Sequence, residues 1–305
     1  MQINKTNLRN LYTAFSAKFW AGYQAAPDAI VAALAHRTSS TAAQEVHHWL
    51  GAFPGMKEFM GEITIENIAA HNYTIPNKEW YDAIAVKQAD IERDAAGGVG
   101  LYGPRFQIMG DIARQHEGER VADLICNGFT RTCYTGKNFY DTDHEPIKGG
   151  TKFSNVGTKK LSQTNFRAAR VNLKQRKNAA GRAMKLGRDL VLLVGAKQED
   201  VAREILVAER LANGATNVDR DSARLVTWPE IDVINEYFWA LFDAASLMKP
   251  VIVQDEKALE LIAQDQPTDE GMFNNHEARY QAYKRQGFGY GLPETIYASD
   301  GSVAA

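Results

Sequence analysis

Asp141, Asp143 and His144 stand within four residues of one another and offer two carboxylates and an imidazole. Such donors can hold a divalent cation, with His47, His48 or His71 as further ligands, and a metal-activated water would make a hydrolase. The spacing matches no metal signature. Gly136 and Pro146 bracket the triplet, and a solvated turn is the better reading of it. A second string, Gly98-x-Gly100-x-x-Gly103, has the glycine spacing of a dinucleotide loop. That loop should follow a buried strand, whereas Asp90–Asp94 is charged and helix-like. A loop entering a helix accounts for these glycines. No G-x-S-x-G, H-E-x-x-H, P-loop or C-x-x-C occurs in the chain. Cys126 and Cys133 read as two reduced thiols, the alternative being a late disulfide that locks an assembled particle. No cofactor is expected.

The most uneven charge lies in 152–188. Lys159, Lys160, Arg167, Arg170, Lys174, Arg176 and Lys177 are among eleven cations there, with no Asp or Glu between them. Phosphate contact needs only cations, so this stretch could face DNA as a basic binding module. Aromatic interleaving is sparse, with Phe153 and Phe166 alone, and a solvated face paired with acidic neighbours competes. Asp255, Glu256, Glu260, Asp265, Asp269, Glu270 and Glu277 form an acidic counterpart. Opposite patches on one chain suit head-to-tail contacts between copies.

The 305 residues suffice for one large domain or two modest ones with a real core. Apolar residues make up 45%, charged residues 24%, and the formal net charge is −2, so whole-chain charge argues for no polyanionic partner. The longest apolar runs, Ala29–Ala35 and Leu190–Val194, fall far short of the ~20 residues of a membrane span. Lys5 and Arg9 precede no apolar segment of the secretory kind.

Periodicity supplies the elements. Leu8, Leu11, Tyr12, Phe15, Phe19 and Tyr23 lie on one face of a helix over Asn4–Tyr23, capped by Asn4 or Thr6. It is either an arm that packs elsewhere or a helix folded onto its own core. Trp49–Gly61 is turn-rich. Glu62–Ile65, Asn72–Pro76 and Glu79–Lys87 alternate like strands of a charged excursion, with Asn77-Lys78 between the last two. A hairpin of this kind cannot bury a face alone. Gly103-Pro104 opens a long helix to about Cys126, ~35 Å at 1.5 Å per residue. Phe106, Met109, Ile112, Ala113, His116, Leu124 and Ile125 approximate its inner face. Gly110 and Gly118 weaken it and are candidate bend points. An α/β pattern follows: a helix at Gln163–Gln175, a buried strand at Leu190–Val194, a helix at Glu199–Leu211 and a strand at Arg224–Thr227. The end is β-rich, with strands at Tyr237–Phe242, Pro250–Gln254, Arg279–Arg285 and Thr295–Ala298. Gly287, Gly289 and Gly291 should break the long strand.

Several strings resemble the major head subunit of Mu-like tailed phages, the gpT family. They are Trp49-Leu50-Gly51, Phe53-Pro54, Lys57-Glu58 and Gly61, then His71, Tyr73, Ile75 and Asn77-Lys78. Tyr102, Pro104, Phe106 and Met109-Gly110 follow, then Cys133-Tyr134, Gly136, Asn138-Phe139, Asp141 and His144. Lys249–Gln254 and Tyr280–Gly291 complete them, and agreement is patchiest from about Lys152 to Asn235. The resemblance implies an α+β fold of the Hong Kong 97-type: an N-terminal arm at 1–48 and an extended loop with its base at 49–102. A peripheral domain with its spine helix at 103–155, an axial domain at 156–232 and peripheral strands at 233–305 would follow. It further implies a structural protein, not an enzyme, forming hexamers and pentamers of an icosahedral head. Implied partners are a separate scaffolding protein, portal and minor head proteins, and packaged DNA by non-specific contact, with no membrane. Assembly would occur in the host cytoplasm, and the product would reside in the virion.

Overall fold

The computed structural model describes residues 3–25, 29–47, 73–93, 99–145, 151–177, 182–211 and 214–304. Trp49–Gly61, Glu62–Ile65, His48 and His71 lie outside them. In chain order the elements are α1 (Lys5–Ala25), α2 (Ala29–Leu34), β1 (Ala35–Ser39), β2 (Gln44–His47), β3 (Tyr73–Pro76), β4 (Lys78–Lys87), α3 (Gln88–Arg93) and α4 (Val99–Cys126). After them come β5 (Val156–Lys159), α5 (Gln163–Lys174), β6 (Leu190–Val194), α6 (Glu199–Leu206), β7 (Arg224–Thr227) and α7 (Glu230–Ile234). The chain ends with β8 (Trp239–Asp243), β9 (Val251–Gln264), α8 (Glu270–Asn275), β10 (Glu277–Tyr290) and β11 (Ile296–Val303).

The heptad-like stripe of α1 turns inward. Leu8, Leu11, Phe15 and Phe19 are buried, and Asn4 accepts the Asn7 N–H as a cap. The helix folds onto its own chain: Phe15 stacks on Phe106 of α4 at 4.2 Å, and both rings meet Tyr280 of β10 edge-on. Of the two readings of this segment, the self-packed helix is the observed one.

A four-stranded sheet has the order β1-β9-β10-β4. β10 pairs antiparallel with both β9 and β4, and β1 runs parallel to β9. Alternation along β10 places Ala278, Tyr280 and Ala282 against α1 and α4. Here two expectations fail. Tyr73–Pro76 and Lys78–Lys87 are no hairpin: β3 pairs with β2, while β4 joins β10. A lone charged hairpin has no core, and pairing with a long central strand supplies one. Gly287 and Gly289 do not end β10 either. A Cβ at Gly289 would stand 2.5 Å from Ile75 Cδ1, so these glycines leave room for β3 to cross.

The second sheet has the order β5-β11-β8-β6-β7. Every residue of β6 and β8 is buried, as expected for strands covered on both faces. Val191 and Leu193 face α4 and its surroundings; Leu190, Leu192 and Val194 face α5 and α6. Two helix limits differ from the periodicity. α4 begins at Val99, before Pro104, because Gly100 and Gly103 are helical. α6 stops at Leu206, and Val201 is exposed on it. Ile112 of α4 is likewise exposed, while Val121, Ala122 and Glu117 take the inner face.

Candidate functional site

The acidic triplet does not converge. His144 is buried, its Nε2 facing the Phe139 carbonyl at 3.2 Å and its Nδ1 the Thr135 hydroxyl at 3.1 Å. Asp143 points to solvent and pairs with Lys137 and Lys152 at 3.0 and 3.1 Å, contacts that hold its carboxyl below the usual range. Asp141 accepts the Asp143 N–H, an Asx turn. His47 is tied to Gln254. No cluster of three potential metal ligands occurs among the described residues, which removes the geometric basis for the hydrolase. The dinucleotide reading loses its geometry as well: α3 lies where a buried strand should precede, and Gly100 and Gly103 are helical.

The basic stretch splits into three. Arg176, expected at the surface, is buried. Its guanidinium donates to the carbonyls of Pro293, Glu294, Ile296 and Ser154 and to Asn172 Oδ1. Burial pulls its pKa down to about 9. This arginine ties the end of α5 to the start of β11 and cannot reach a partner. Arg167 and Arg170 converge on Asp219, whose side chain is fully buried, at 2.6 and 3.0 Å. Asp219 also accepts from Gln163 Nε2. Lys160 sits over the Tyr237 ring at 3.7 Å. Lys159, Lys174 and Lys177 are exposed. Much of the apparent charge excess is therefore spent inside the chain, because Asp219, 49 residues beyond Arg170, neutralises both helix arginines. The acidic counterpart behaves alike: Asp255 meets Arg37, Glu256 meets Arg285 and Glu260 meets Lys257.

On α4 the two glycines are unlike. A Cβ at Gly110 would lie 2.0 Å from the Phe19 carbonyl oxygen, so this glycine serves a helix crossing. At Gly118 the nearest atom, Trp228 Cζ2, is 3.6 Å away. Between them His116 lies against Trp80, ring centroids 4.4 Å apart, with no hydrogen-bond partner for either nitrogen among the described residues. Burial, then Lys284 and Arg120, lower its pKa to about 4. The next residue, Glu117, is buried and receives Arg37 and Gln286, with Lys284 at 3.8 Å. No linear motif marks this polar knot, since its members come from β1, α4 and β10.

The outer surfaces carry large apolar side chains. Tyr81 is 74% exposed, Phe273 77%, and Leu101, Ile108 and Ile112 about half. Tyr81 and Ile112 border a groove of about 100 Å³ floored by Trp80, His116 and Leu259. Among the described residues β4 is an edge strand, paired on one side only. Such features fit a surface that meets other protein rather than a catalytic cleft.

Comparison with known proteins agrees with that character. The family described as Mu-like prophage major head subunit gpT matches residues 8–160, 151–231 and 232–305. The major capsid protein of Escherichia phage Mu is 25% identical over 303 residues, covering 99% of this chain and 76% of that protein. The Mu-like prophage FluMu major head subunit of Haemophilus influenzae is 25% identical over 298 residues, 98% of this chain and 74% of its own length. Among solved structures, the procapsid of bacteriophage JBD30 superposes with a TM-score of 0.60 at 24% identity, over 97% of this chain and 76% of that one. The mature capsid of bacteriophage PhiM1 gives 0.58 at 8% identity, over 88% and 85%. The fold is that of the Hong Kong 97-type capsid subunits, and the chain belongs to the Mu-like prophage major head subunit gpT family, the major capsid proteins of tailed phages.

Proposed function

We propose that copies of this chain form hexamers and pentamers that close into an icosahedral head around double-stranded DNA, without a catalytic step of their own. Family membership carries the reading. The exposed apolar side chains on α4, β4 and α8 support it, since their burial between copies would contribute roughly 25 cal/mol per Å². Each copy would touch several neighbours, so modest contacts add up to a stable shell.

The division of labour follows the family fold: N-terminal segment 1–48, folded back through α1 and β1, extended loop and base 49–102, spine-helix region 103–155, axial domain 156–232 and closing strands 233–305. Exposed cations such as Lys159 would meet packaged DNA without sequence preference. Bending of α4 at Gly118, and at Gly110 if α1 moves with it, would store strain in a precursor shell. A separate scaffold, a portal and minor head proteins would join in the host cytoplasm. The bacteriophage JBD30 capsid, decorated with minor capsid protein trimers, is a parallel for the last of these.

The test is electron microscopy of the chain co-expressed with its scaffold. Closed shells built of six- and five-fold clusters are expected. A chain that stays monomeric at high concentration with scaffold present would refute the proposal.

A further inference from the structure

We propose that the two ends of α5 are complementary halves of one contact between copies, a basic end seated on an acidic, apolar groove of the next copy. The inference rests on the assembly reading above and specifies which surfaces carry it.

The basic end gathers around the last turn of α5. The Lys174 side chain lies along Gly187, where a Cβ would come 2.9 Å from Lys174 Cε. Met184 N–H donates to the Arg176 carbonyl, and Lys177 bridges to Ala183. These contacts bring Lys174, Lys177, Lys185 and Arg188 to one end of the domain, all exposed. The nearby carboxylates are engaged. Asp189 pairs with Arg224 at 3.7 Å. Asp243 is buried and accepts the N–H groups of Gly187, Arg188 and Asp189. A surplus of positive charge remains.

The first residue of α5, Gln163, lies at the other end, ~18 Å away for a 12-residue helix. It borders a groove of about 430 Å³ with Leu161, Val201, Glu204, Ile205 and Leu211. Val201 is 39% exposed there, and Val207 and Val218 add apolar surface at 50% and 75%. Most local cations are neutralised: Arg203 by Glu199, Arg167 and Arg170 by Asp219, Arg220 by Glu209, while Arg210 beside Leu211 stays exposed. Asp200 and Glu204 are left exposed on α6.

One domain thus presents a positive end and a negative, partly apolar end on different sides. A patch that complements a different patch of the same chain makes a head-to-tail contact, which closes into a ring when the rotation allows. Opposite potentials set the register, and the valines supply burial. DNA at the basic end would leave the acidic groove without a role, so a second copy is the occupant the charges favour.

Charge reversal tests the contact in the full chain with its scaffold. K185E/R188E and D200K/E204K should each lower the yield of closed shells about tenfold, and the combined variant should restore it to within about twofold of wild type. A K185C/E204C variant should form cross-linked oligomers on mild oxidation of shells, the native thiols Cys126 and Cys133 being buried. Full shell yield from either reversed pair, or cross-links absent from well-formed K185C/E204C shells, overturns the contact. So does a K185E/R188E shell that assembles normally but holds less DNA. If the wild-type chain itself builds no shell, the assembly reading falls, and this contact with it.

Discussion

Gly110 of α4 approaches the backbone of Phe19 so closely that a Cβ would stand 2.0 Å from the Phe19 carbonyl oxygen. The relation is reciprocal one turn away: a Cβ on Gly22 would stand 1.9 Å from the Gln107 carbonyl oxygen. Two glycines, one on each helix, let α1 and α4 touch backbone to backbone. The N-terminal helix is thereby fastened to the helix that spans the core, and the two must move together.

This separates the two glycines of α4 by experiment. Gly110→Ala should destabilise the chain by about 2–3 kcal/mol, since the clash is with backbone and the helices must part. Gly118→Ala has room and should raise stability by up to about 1 kcal/mol through helix propensity. Urea unfolding of both variants checks the contrast; equal effects would contradict it. If Gly118 is also the bend point, precursor shells of Gly118→Ala should expand more slowly when imaged over time.

Asp219→Ala should destabilise the α5–α6 region by about 3 kcal/mol, because Arg167, Arg170 and Gln163 lose a shared buried acceptor. Hydrogen exchange should show the loss confined to α5 and the loop after α6. A uniform change across the molecule would mean that Asp219 has no such local role.

Stability should fall with acid between pH 6.5 and about 4. His116 is neutral in the fold down to about pH 4, whereas an unfolded histidine takes a proton near 6.5. The unfolded state binds more protons in that window, so stability rises with pH there. Glu117 acts in the same direction lower down. Burial alone would raise its pKa, but Gln286, Lys284 and Arg37 outweigh burial and lower it, so its contribution is present above ~4.3 and lost as pH falls through the folded value. His116→Phe keeps the stacking on Trp80 and should flatten the upper part of the curve by on the order of 1 kcal/mol, solvent at the partly exposed ring screening the rest. Melting temperatures from pH 4 to 8 for both proteins give the answer.

Cys126 and Cys133 should resist alkylation in the native chain. Burial pushes the Cys126 thiol up to about 12 and raises Cys133 as well, so thiolate is scarce at neutral pH. Mass spectrometry after iodoacetamide should find both unmodified until denaturant is added. Rapid native labelling of either would contradict their placement in the core.

Arg176→Ala should cost about 3 kcal/mol or more, because four carbonyls and an amide lose a buried donor. Lysine at the same place cannot reproduce the fork and should rescue only part of the loss. Denaturant midpoints of the two variants decide it.

The sequence by itself determined the local elements and the family. The 3.6-residue stripe of Leu8, Leu11, Phe15 and Phe19, the long helix ending at Cys126, and the unbroken apolar run of β6 are set by the order of neighbouring residues. Tertiary structure alone decided what each element meets. That β4 joins β10 rather than β3, that Asp219 silences two arginines of α5, and that Arg176 lies inside are contacts across 49 to 208 residues of chain. Periodicity reports whether a face is apolar, because that depends on residues a few positions apart. It carries no record of which distant backbone or charge completes that face, because pairing is chosen by the packing of the whole chain.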